Sequence, residues 1–428
     1  MLTRAESERA REAAHPSVVV REAPVASSSR RKTRNAVDIE LFAGAGGLAL
    51  GFQAAGFIPT YLFEIDKHSC ATMRANHVSR GGILHGEVVE GDVREVDWSE
   101  YQDPVRLLAA GAPCQPFSLA GKHRANRDGR NLFPEVLRAV RALHPAAVVL
   151  ENVQGLTRPS FRPYFEYIVR QLECPSIAPM KDELWEDHNT RIRERQRRRK
   201  YRAEYNVTWS LLNAADYGVP QNRRRVFFVA TRSDMLPAFQ FPSATHSRTA
   251  LLAEQRSGWY WKRHRIGPRE VKMSTNGKTN GAAANGMHLQ SWRTVRDGLQ
   301  GLHAPKKSEK DSSDNHWLAP GARLYPGHGG SDLDWPSKTI KAGVHGVPGG
   351  ENSFHLDDGT FRYFTLREAA RIQGFPDNYI FTGARIHVTR QIGNAVPCPL
   401  ATAVGTALNQ LFSKADITSN HVQAAEGV

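Results

Sequence analysis

A short apolar stretch followed by a glycine-rich turn constrains the fold of this chain most. Val37–Phe42 has the composition of a buried strand, Gly44–Gly47 forms the turn, and Leu48–Ala55 has the spacing of a helix. Glycines at such a junction let a ligand approach the backbone and the free N–H groups at the start of the helix. The pattern therefore predicts a strand–turn–helix unit with a ligand site at the turn.

The same alternation continues along the first half of the chain. Further strands are predicted at Ile58–Ile65, Val88–Glu90, Leu107–Ala110, Ala146–Leu150, Tyr205–Leu212 and Val226–Ala230. Helical spacing lies between several of them, for example over Asp66–Asn76. Alternating strands and helices indicate an α/β fold whose mostly parallel sheet is covered on both faces.

The length of 428 residues suits two domains with tails. We expect a disordered basic tail over 1–35, a catalytic and cofactor domain over 36–236 and 388–413, a smaller irregular domain over 237–387, and a second tail over 414–428. Helices are expected at Thr365–Gln373 and Pro397–Phe412, and the latter should return to pack beside the first strand. A charged stretch at 181–200 looks like an insertion, serving either as a clamp for DNA phosphates or as a solvated helix face.

The charge balance favours a polyanionic partner, because 57 Lys and Arg residues against 43 Asp and Glu residues give a net charge of +14. No apolar run approaches the length of a membrane span, and the N-terminus lacks the apolar segment of a secretory signal. Cys70, Cys114, Cys174 and Cys398 lie far apart, a spacing that argues against a zinc site and against a disulfide framework. We therefore expect a cytoplasmic protein that needs no metal.

One of these cysteines lies between two prolines. In Ala112–Ser118, Pro113 and Pro116 flank Cys114 and Gln115, directly after the apolar run of a predicted strand. Proline fixes its own φ and disfavours helix at the residue before it, so the thiol is predicted to lie on a stiffened loop at a strand end. This placement is typical of a nucleophile in an α/β enzyme.

The glycine turn alone does not determine which cofactor the chain binds. Gly44, Gly46 and Ala49 satisfy the dinucleotide pattern in its G-x-G-x-x-A form, and the acidic Glu64 follows about 20 residues later. A nicotinamide cofactor is therefore one interpretation. Two residues favour S-adenosylmethionine instead. Asp92 places a second carboxylate at the neighbouring strand tip, where it can accept a hydrogen bond from an adenine amine. Cys114 is a nucleophile, which hydride transfer does not need.

Several motifs, in order along the chain, resemble those of the DNA cytosine-5 methyltransferases. The Ala112–Ser118 segment is similar to the Pro-Cys-Gln loop of that family, Glu151–Val153 to its Glu-Asn-Val motif, and Gln221–Arg225 to its Gln-x-Arg-x-Arg motif. Two later segments, Arg362–Pro376 and Gln391–Pro397, match further family blocks. The resemblance covers Val37–Met235 and Asp358–Phe412. The family usually opens its first motif with Asp-Leu-Phe, whereas this chain has Glu40 in place of the aspartate, so Glu40 is not among the predicted site residues.

The resemblance implies a Rossmann-like S-adenosylmethionine-dependent methyltransferase domain and a target-recognition domain. It implies that Cys114 adds to carbon 6 of a flipped cytosine and that Glu151 protonates or hydrogen-bonds N3 of the same base. It also implies that Arg225 holds the base O2 and that Arg223 orients the surrounding loop or backbone. The implied cofactor residues are Phe42, Gly44, Gly46, Gly47, Glu64, Ile65, Asp92, Val93, Pro113, Asn394 and Val396. The implied DNA contacts are Gln115, Ser118, Gln221, Arg223 and Arg225.

The implied partner is double-stranded DNA, and the protein is expected to be a monomer associated with the nucleoid. Whether a restriction endonuclease acts on the same site stays open, as does the recognition sequence. Two alternatives to a DNA methyltransferase remain. One is a tRNA cytosine-5 methyltransferase, and the other is a catalytically inactive DNA-binding relative that kept the fold.

Overall fold

A computed structural model describes residues 36–113, 132–198, 201–270, 289–309, 314–323, 329–343 and 352–426. Its central element is a seven-stranded sheet in the order β3-β2-β1-β4-β5-β7-β6. The strands are β1 (Val37–Leu41), β2 (Pro59–Glu64), β3 (Glu87–Glu90), β4 (Val105–Ala110), β5 (Ala147–Val153), β6 (Tyr205–Asn213) and β7 (Arg224–Arg232). Each lies where the sequence predicts a strand, within a few residues.

Strands β1 to β5 pair in parallel, which confirms the expected α/β sheet. Strand β7 is antiparallel to both β5 and β6. The connection 214–223 between β6 and β7 is too short for the helical crossover that parallel strands require, so the two strands form an antiparallel pair. The parallel strands end at the same edge of the sheet, where the loops that carry the predicted site begin.

In the part of the chain that the structure describes, six helices flank the sheet. They are α1 (Gly47–Ala54), α2 (Lys67–Ala75), α3 (Phe133–Leu143), α4 (Arg162–Glu173), α5 (Trp185–Gln196) and the last helix of the chain, numbered below. One apolar cluster joins Val136 of α3 and Ile168 of α4 to Ile39, Leu108 and Leu150 of the sheet. A second joins Leu48 and Phe52 of α1 to Ala109 and Val149. The sheet is therefore covered on both faces, as predicted.

The predicted insertion at 181–200 contains α5, whose surface is only partly solvated. Its His188 is buried, with Nδ1 at 2.7 Å from Tyr167 Oη on α4 and Nε2 at 2.7 Å from the Ile177 carbonyl oxygen. Burial lowers the pKa of His188, so the neutral imidazole is favoured at this position. These bonds attach one side of the helix to α4 and to the segment that follows α4.

The remaining elements lie between β7 and the C-terminus. They are β8 (His246–Ser247), α6 (Arg248–Ser257), α7 (Trp259–His264), β9 (Gln290–Ser291), α8 (Val295–Leu299), β10 (Ser353–His355), β11 (Phe361–Tyr363), α9 (Leu366–Ile372), α10 (Arg385–Asn394) and α11 (Cys398–Glu426). Strands β8 and β9 form one two-stranded sheet and β10 and β11 another. The division at 237 and 387 stays a prediction. Across the described residues, no helix combines the length and apolarity needed to cross a bilayer.

Helix α11 is longer than predicted and packs mainly on α1, the helix that follows β1. The helix continues to Glu426 instead of ending near Phe412, because residues 413–426 contain neither proline nor glycine and Gly427 follows. Leu400, Val404 and Leu408 join the apolar cluster on the α1 face of the sheet. The last helix thus returns to the first strand–helix unit of the chain.

The contact between α1 and α11 requires a glycine at position 51. A Cβ there would lie 2.6 Å from the Cys398 carbonyl oxygen and would also meet Ala401. We expect Gly51→Val to lower the free energy of unfolding by about 3 kcal/mol, the upper range for overpacking. Urea unfolding measures this, with Gly267→Val as the control, since a Cβ at Gly267 meets nothing within 4 Å. Equal stability of the two variants would contradict the close packing.

Candidate active site

A cavity of about 570 Å³ opens where the parallel strands end, a volume typical of small-molecule sites. It is bounded by the turns after β1 and β2, the residues after β3 and β4, the end of β5, the start of β7, and the end of α10 with the two residues after it. The structure brings together most of the predicted site residues, which line this single cavity: Phe42, Gly44, Gly47, Glu64, Ile65, Asp92, Val93, Pro113, Glu151, Arg223, Arg225, Asn394 and Val396. Cys114, Gln115 and Ser118 lie outside the described residues.

The glycine turn is shaped by close contacts from the C-terminal part of the chain. A Cβ at Gly47 would lie 2.7 Å from the Val396 carbonyl oxygen, so glycine allows α1 to start against that segment. The Tyr379 hydroxyl donates to the Ala45 carbonyl oxygen at 2.7 Å. The turn is thereby fixed by residues more than 300 positions away in sequence.

Gly46 was predicted to contact the cofactor, but it is not among the residues that line the cavity. Its φ of 78° is left-handed, and a Cβ there would lie 3.1 Å from Tyr379 Oη and 3.3 Å from Leu84 Cδ2. The residue is needed for the conformation of the turn, where only glycine adopts this φ without strain. Phe42 also has a positive φ, 57°, a conformation that directs the chain abruptly from β1 into the turn.

The Glu64 carboxylate is held by two backbone amides. The N–H of Gly44 donates to Oε2 at 2.7 Å, and the N–H of Asp66 donates to Oε1 at 2.8 Å. Burial raises the pKa of Glu64, and these two hydrogen bonds oppose that rise. Each carboxylate oxygen has further acceptor capacity, so the group can receive two neighbouring hydroxyls of a sugar.

Asp92 lies after β3, where it is paired with the arginine two positions later. Its Oδ1 accepts from the Arg94 N–H at 2.9 Å, and both carboxylate oxygens contact the Arg94 guanidinium. Hydrogen bonds from the Arg94 side chain and backbone lower the pKa of Asp92. An adenine amine that reached this carboxylate would therefore share it with Arg94.

Glu151 and Arg225 form an ion pair at the end of β5, with Arg225 Nε 2.8 Å from Glu151 Oε1. The two strands are neighbours in register, since Glu151 is opposite Phe227 and Arg225 is opposite Val153. Burial raises the pKa of Glu151, while the charges of Arg225 and Arg223 oppose that rise. The carboxyl group therefore lies in surroundings that make its protonation accessible, beside a cation that can also contact a ligand.

Arg223 is 1% exposed and holds two distant parts of the backbone. Its Nη1 donates to the Ile340 carbonyl oxygen at 3.0 Å, and its Nη2 donates to the Gly393 carbonyl oxygen at 2.8 Å. Burial lowers its pKa, and the nearby charge of Arg225 adds to that effect. These contacts hold backbone at both positions and engage both Nη atoms, while the buried Nε has no hydrogen-bond partner among the described residues.

Gln221 was predicted to contact DNA, but both ends of its amide are committed inside the protein. Its Nε2 donates to Gln373 Oε1 at 2.9 Å, and its Oε1 accepts from the Ile340 N–H at 2.9 Å. The side chain is fully buried. A buried amide with satisfied partners holds the fold together, so Gln221 connects the start of β7 to the C-terminal part of the chain.

Asn152, Glu40 and Arg390 line the cavity but are not among the predicted site residues, and of these only Glu40 is discussed in the sequence analysis. Asn152 is buried and donates from Nδ2 to the Ala112 carbonyl oxygen at 3.3 Å, which ties β5 to the segment that leads to Cys114. Glu40 is buried in β1 and lines the cavity, and the repulsive charge of Glu64 adds to burial in raising its pKa well above normal. Arg390 lies four residues before Asn394 on α10, a spacing that could have identified it as a neighbour on the same helix face.

Comparison with known proteins finds one family and several relatives that match most of this chain. The family described as C-5 cytosine-specific DNA methylase matches residues 37–174 and 187–410. The chain is 32% identical over 388 residues to type II methyltransferase M.NgoMIV of Neisseria gonorrhoeae, covering 88% of this chain and 98% of that relative. It is 31% identical to type II methyltransferase M.Eco47II of Escherichia coli, covering 88% and 79%.

Solved structures show the same fold at lower identity. The S. pombe Dnmt2 methyltransferase superposes with a TM-score of 0.51 at 16% identity, covering 89% of this chain and 98% of that one. The Entamoeba histolytica methyltransferase EhMeth gives a TM-score of 0.51 at 14% identity, covering 88% and 99%. The likeness extends over nearly the whole length of both proteins.

Proposed function

Since this chain belongs to the C-5 cytosine-specific DNA methylase family, we propose that it methylates carbon 5 of a cytosine flipped out of duplex DNA, using S-adenosylmethionine. The observation that carries the proposal is the shared cavity. It places the glycine turn and Glu64 in the same space as Glu151, Arg225 and Pro113, the residue before Cys114. A methyl donor and a pyrimidine can therefore be held side by side at the edge of the sheet.

The donor is held through three kinds of contact in this proposal. Phe42 and Ile65, which is 62% exposed, provide apolar surface for the adenine ring. Glu64 accepts from the ribose hydroxyls, and Asp92 accepts from the adenine amine. Glu40 contributes a buried carboxyl group on the side of the cavity that β1 supplies, and a positive charge on the methionine portion would favour its ionised form.

Removal of the Glu64 charge is expected to weaken donor binding. Gln at position 64 keeps the shape but loses the anionic acceptor, and hydrogen bonds to charged groups contribute about 1.5–3 kcal/mol. We expect Glu64→Gln to raise the dissociation constant for S-adenosylmethionine about tenfold or more, measured by calorimetry. Glu90→Gln is the control, because Glu90 pairs with Arg74 outside the cavity. Unchanged affinity in Glu64→Gln would refute the ribose contact.

The proposed reaction begins with the thiolate of Cys114, which attacks carbon 6 of the cytosine while Glu151 donates a proton or hydrogen bond to N3. Electron density from the new bond moves to carbon 5, and Arg225 holds O2 through its guanidinium. When bound, S-adenosylmethionine supplies the methyl group that carbon 5 takes. Loss of the carbon 5 proton to a base then lets the carbon–sulfur bond break, which restores the cysteine and the aromatic ring.

The DNA partner is supported by charge as well as by the family. The net charge of +14 favours a polyanion. Within residues 237–387, the proposed recognition domain, Trp259 is 66% exposed and Lys262 Nζ lies 5.3 Å from its ring centroid. An exposed aromatic beside a cation is a combination that nucleic-acid surfaces use.

Methyl transfer from labelled S-adenosylmethionine tests the proposal, with duplex DNA and total tRNA assayed side by side. Incorporation into DNA is expected, and bisulfite sequencing of DNA from a methylation-free host that expresses the chain would locate the modified cytosine. Incorporation into tRNA alone would identify a tRNA cytosine-5 methyltransferase. DNA binding without turnover would identify an inactive relative. A cognate endonuclease would act on the same sequence that bisulfite sequencing reveals.

A further inference from the structure

The arginines that line the cavity differ in what they contact. Four line it: Arg94, Arg223, Arg225 and Arg390. The first is paired with Asp92, the second donates to two backbone carbonyls, and the third is paired with Glu151. Arg390 is exposed, and its side chain forms no hydrogen bond or ion pair with any other residue that the structure describes. Among the described residues of the lining, it is therefore the cation that the cavity leaves for a ligand.

Helix α10 places Arg390 beside a residue of the proposed donor site. Arg390 and Asn394 are four positions apart, so they share one face of the helix, and both line the cavity. The helix is anchored between them by Gln391, whose Oε1 accepts from Thr72 Oγ1 of α2 at 2.8 Å. The guanidinium is thus carried by a fixed element at the end of the cavity that Asn394 occupies.

The other charges of the cavity favour a cation there. Its described lining contains five acidic side chains, namely Glu40, Glu64, Asp66, Asp92 and Glu151. Asp92 and Glu151 are paired with arginines, and burial raises the pKa of Glu40. Glu64 and Asp66 are therefore the carboxylates that no described arginine neutralises. S-adenosylmethionine carries two positive groups, which these carboxylates attract, and one carboxylate, which they repel. The free N–H groups at the start of α1 are one candidate anion site in these surroundings, and an uncommitted arginine adds a charge and two parallel N–H donors that match a carboxylate.

We propose that Arg390 binds the carboxylate of the methionine portion of S-adenosylmethionine. This inference rests on the proposed function and extends it to a residue that selects the donor. Arg390 would distinguish adenosyl sulfonium compounds with a carboxylate from those without one, and it would keep the same contact with the product S-adenosylhomocysteine. It touches neither the transferred methyl group nor the base, so it acts as a binding residue.

Calorimetry with two ligands tests this assignment. The full chain and its Arg390→Gln variant are titrated with S-adenosylmethionine and with decarboxylated S-adenosylmethionine, which keeps both positive groups. Wild type is expected to bind the decarboxylated compound about tenfold more weakly, the low end for a charge-assisted hydrogen bond at an exposed site. In Arg390→Gln the two ligands should bind with nearly equal affinity. A structural defect would weaken the binding of both ligands and leave the ratio of their affinities as in wild type.

Two further variants sharpen the result. Arg385→Gln removes a cation from the same helix outside the cavity, and it should keep the wild-type ratio of affinities. Arg390→Lys keeps the charge without the fork, and its ratio should lie between those of wild type and Arg390→Gln. If Arg390→Gln folds poorly, the ratio in Arg390→Lys decides, and an unchanged ratio there overturns the assignment.

A measurement of duplex DNA binding tests the alternative role of Arg390, which is contact with a DNA phosphate. Unchanged discrimination between the two ligands in Arg390→Gln, together with weaker duplex binding and a smaller dependence on salt, would overturn the proposal and identify a phosphate contact. Failure of the proposed function has a different signature, since wild type itself would then bind no S-adenosylmethionine or transfer no methyl group to DNA.

Discussion

Cys114→Ser is expected to abolish methyl transfer to DNA, with a rate reduced by roughly 10⁴-fold or more, the scale seen when a covalent nucleophile is removed. A serine hydroxyl ionises far less readily than a thiol at neutral pH, so it cannot supply the anion that adds to carbon 6. The affinity for S-adenosylmethionine should change less than about twofold, because the substitution keeps the size of the side chain. Labelled methyl transfer and calorimetry measure the two quantities.

Cys174→Ser is the matched control for this experiment. Burial raises the pKa of Cys174, and its Sγ accepts from Gln196 Nε2 at 3.3 Å and from the Tyr201 hydroxyl, away from the cavity. Its thiol is thus held in the protonated form, and methyl transfer should persist in the variant. Full activity in Cys114→Ser, or its loss in Cys174→Ser without loss of folding, would contradict the assignment of the nucleophile.

Glu151→Gln is expected to lower the rate of methyl transfer by about 10²–10⁴-fold, the contribution of a positioned acid. The amide can still donate a hydrogen bond to N3, but it carries no proton to transfer, and it ends the charge pairing with Arg225. Single-turnover methyl transfer measures the effect. Glu166→Gln is the control, because Glu166 also pairs with arginines but lies outside this cavity.

The pH dependence of the same step separates the acid from the nucleophile. Burial raises the pKa of Glu151, so its protonated form persists to higher pH than for an ordinary glutamate, and the rate should fall as pH rises through that pKa. The thiolate of Cys114 has the opposite trend, since it forms as pH rises. Wild type should therefore show a bell-shaped profile, and Glu151→Gln should lose its alkaline decline. An alkaline decline that survives in Glu151→Gln would exclude Glu151 as its source.

The elements that carry the site could be predicted because their patterns are local. The strand before the glycine turn, the apolar core of β5 and the start of β7 are each marked by a short run of residues. Strand direction could not be predicted in the same way, since the composition of an apolar run does not show whether the strand is parallel or antiparallel to its neighbour. The antiparallel β7 could have been inferred only from the short connection 214–223, which leaves no room for a crossover.

The parts of the site where sequence and structure differ depend on contacts between distant segments. Gln221 belongs to a family motif, yet its amide is occupied by Gln373 and Ile340, a fact that only the packing of the C-terminal part on β7 reveals. The spacing of Arg390 from Asn394 could have placed it on the same helix face, but the sequence alone does not show which arginines of the site form ion pairs. Sequence motifs thus locate the site, while the hydrogen bonds of the folded chain determine which motif side chains can contact a ligand.

The return of α10 and α11 to the first strand–helix unit has a consequence for synthesis of the protein. Asn394 and Val396 supply one wall of the cavity, and Val396 also contacts Gly47; both residues are translated after the rest of the wall that the strands provide. A nascent chain that ends before them contains Cys114 and Glu151 but lacks this side of the cavity. We therefore expect such a chain to bind no methyl donor.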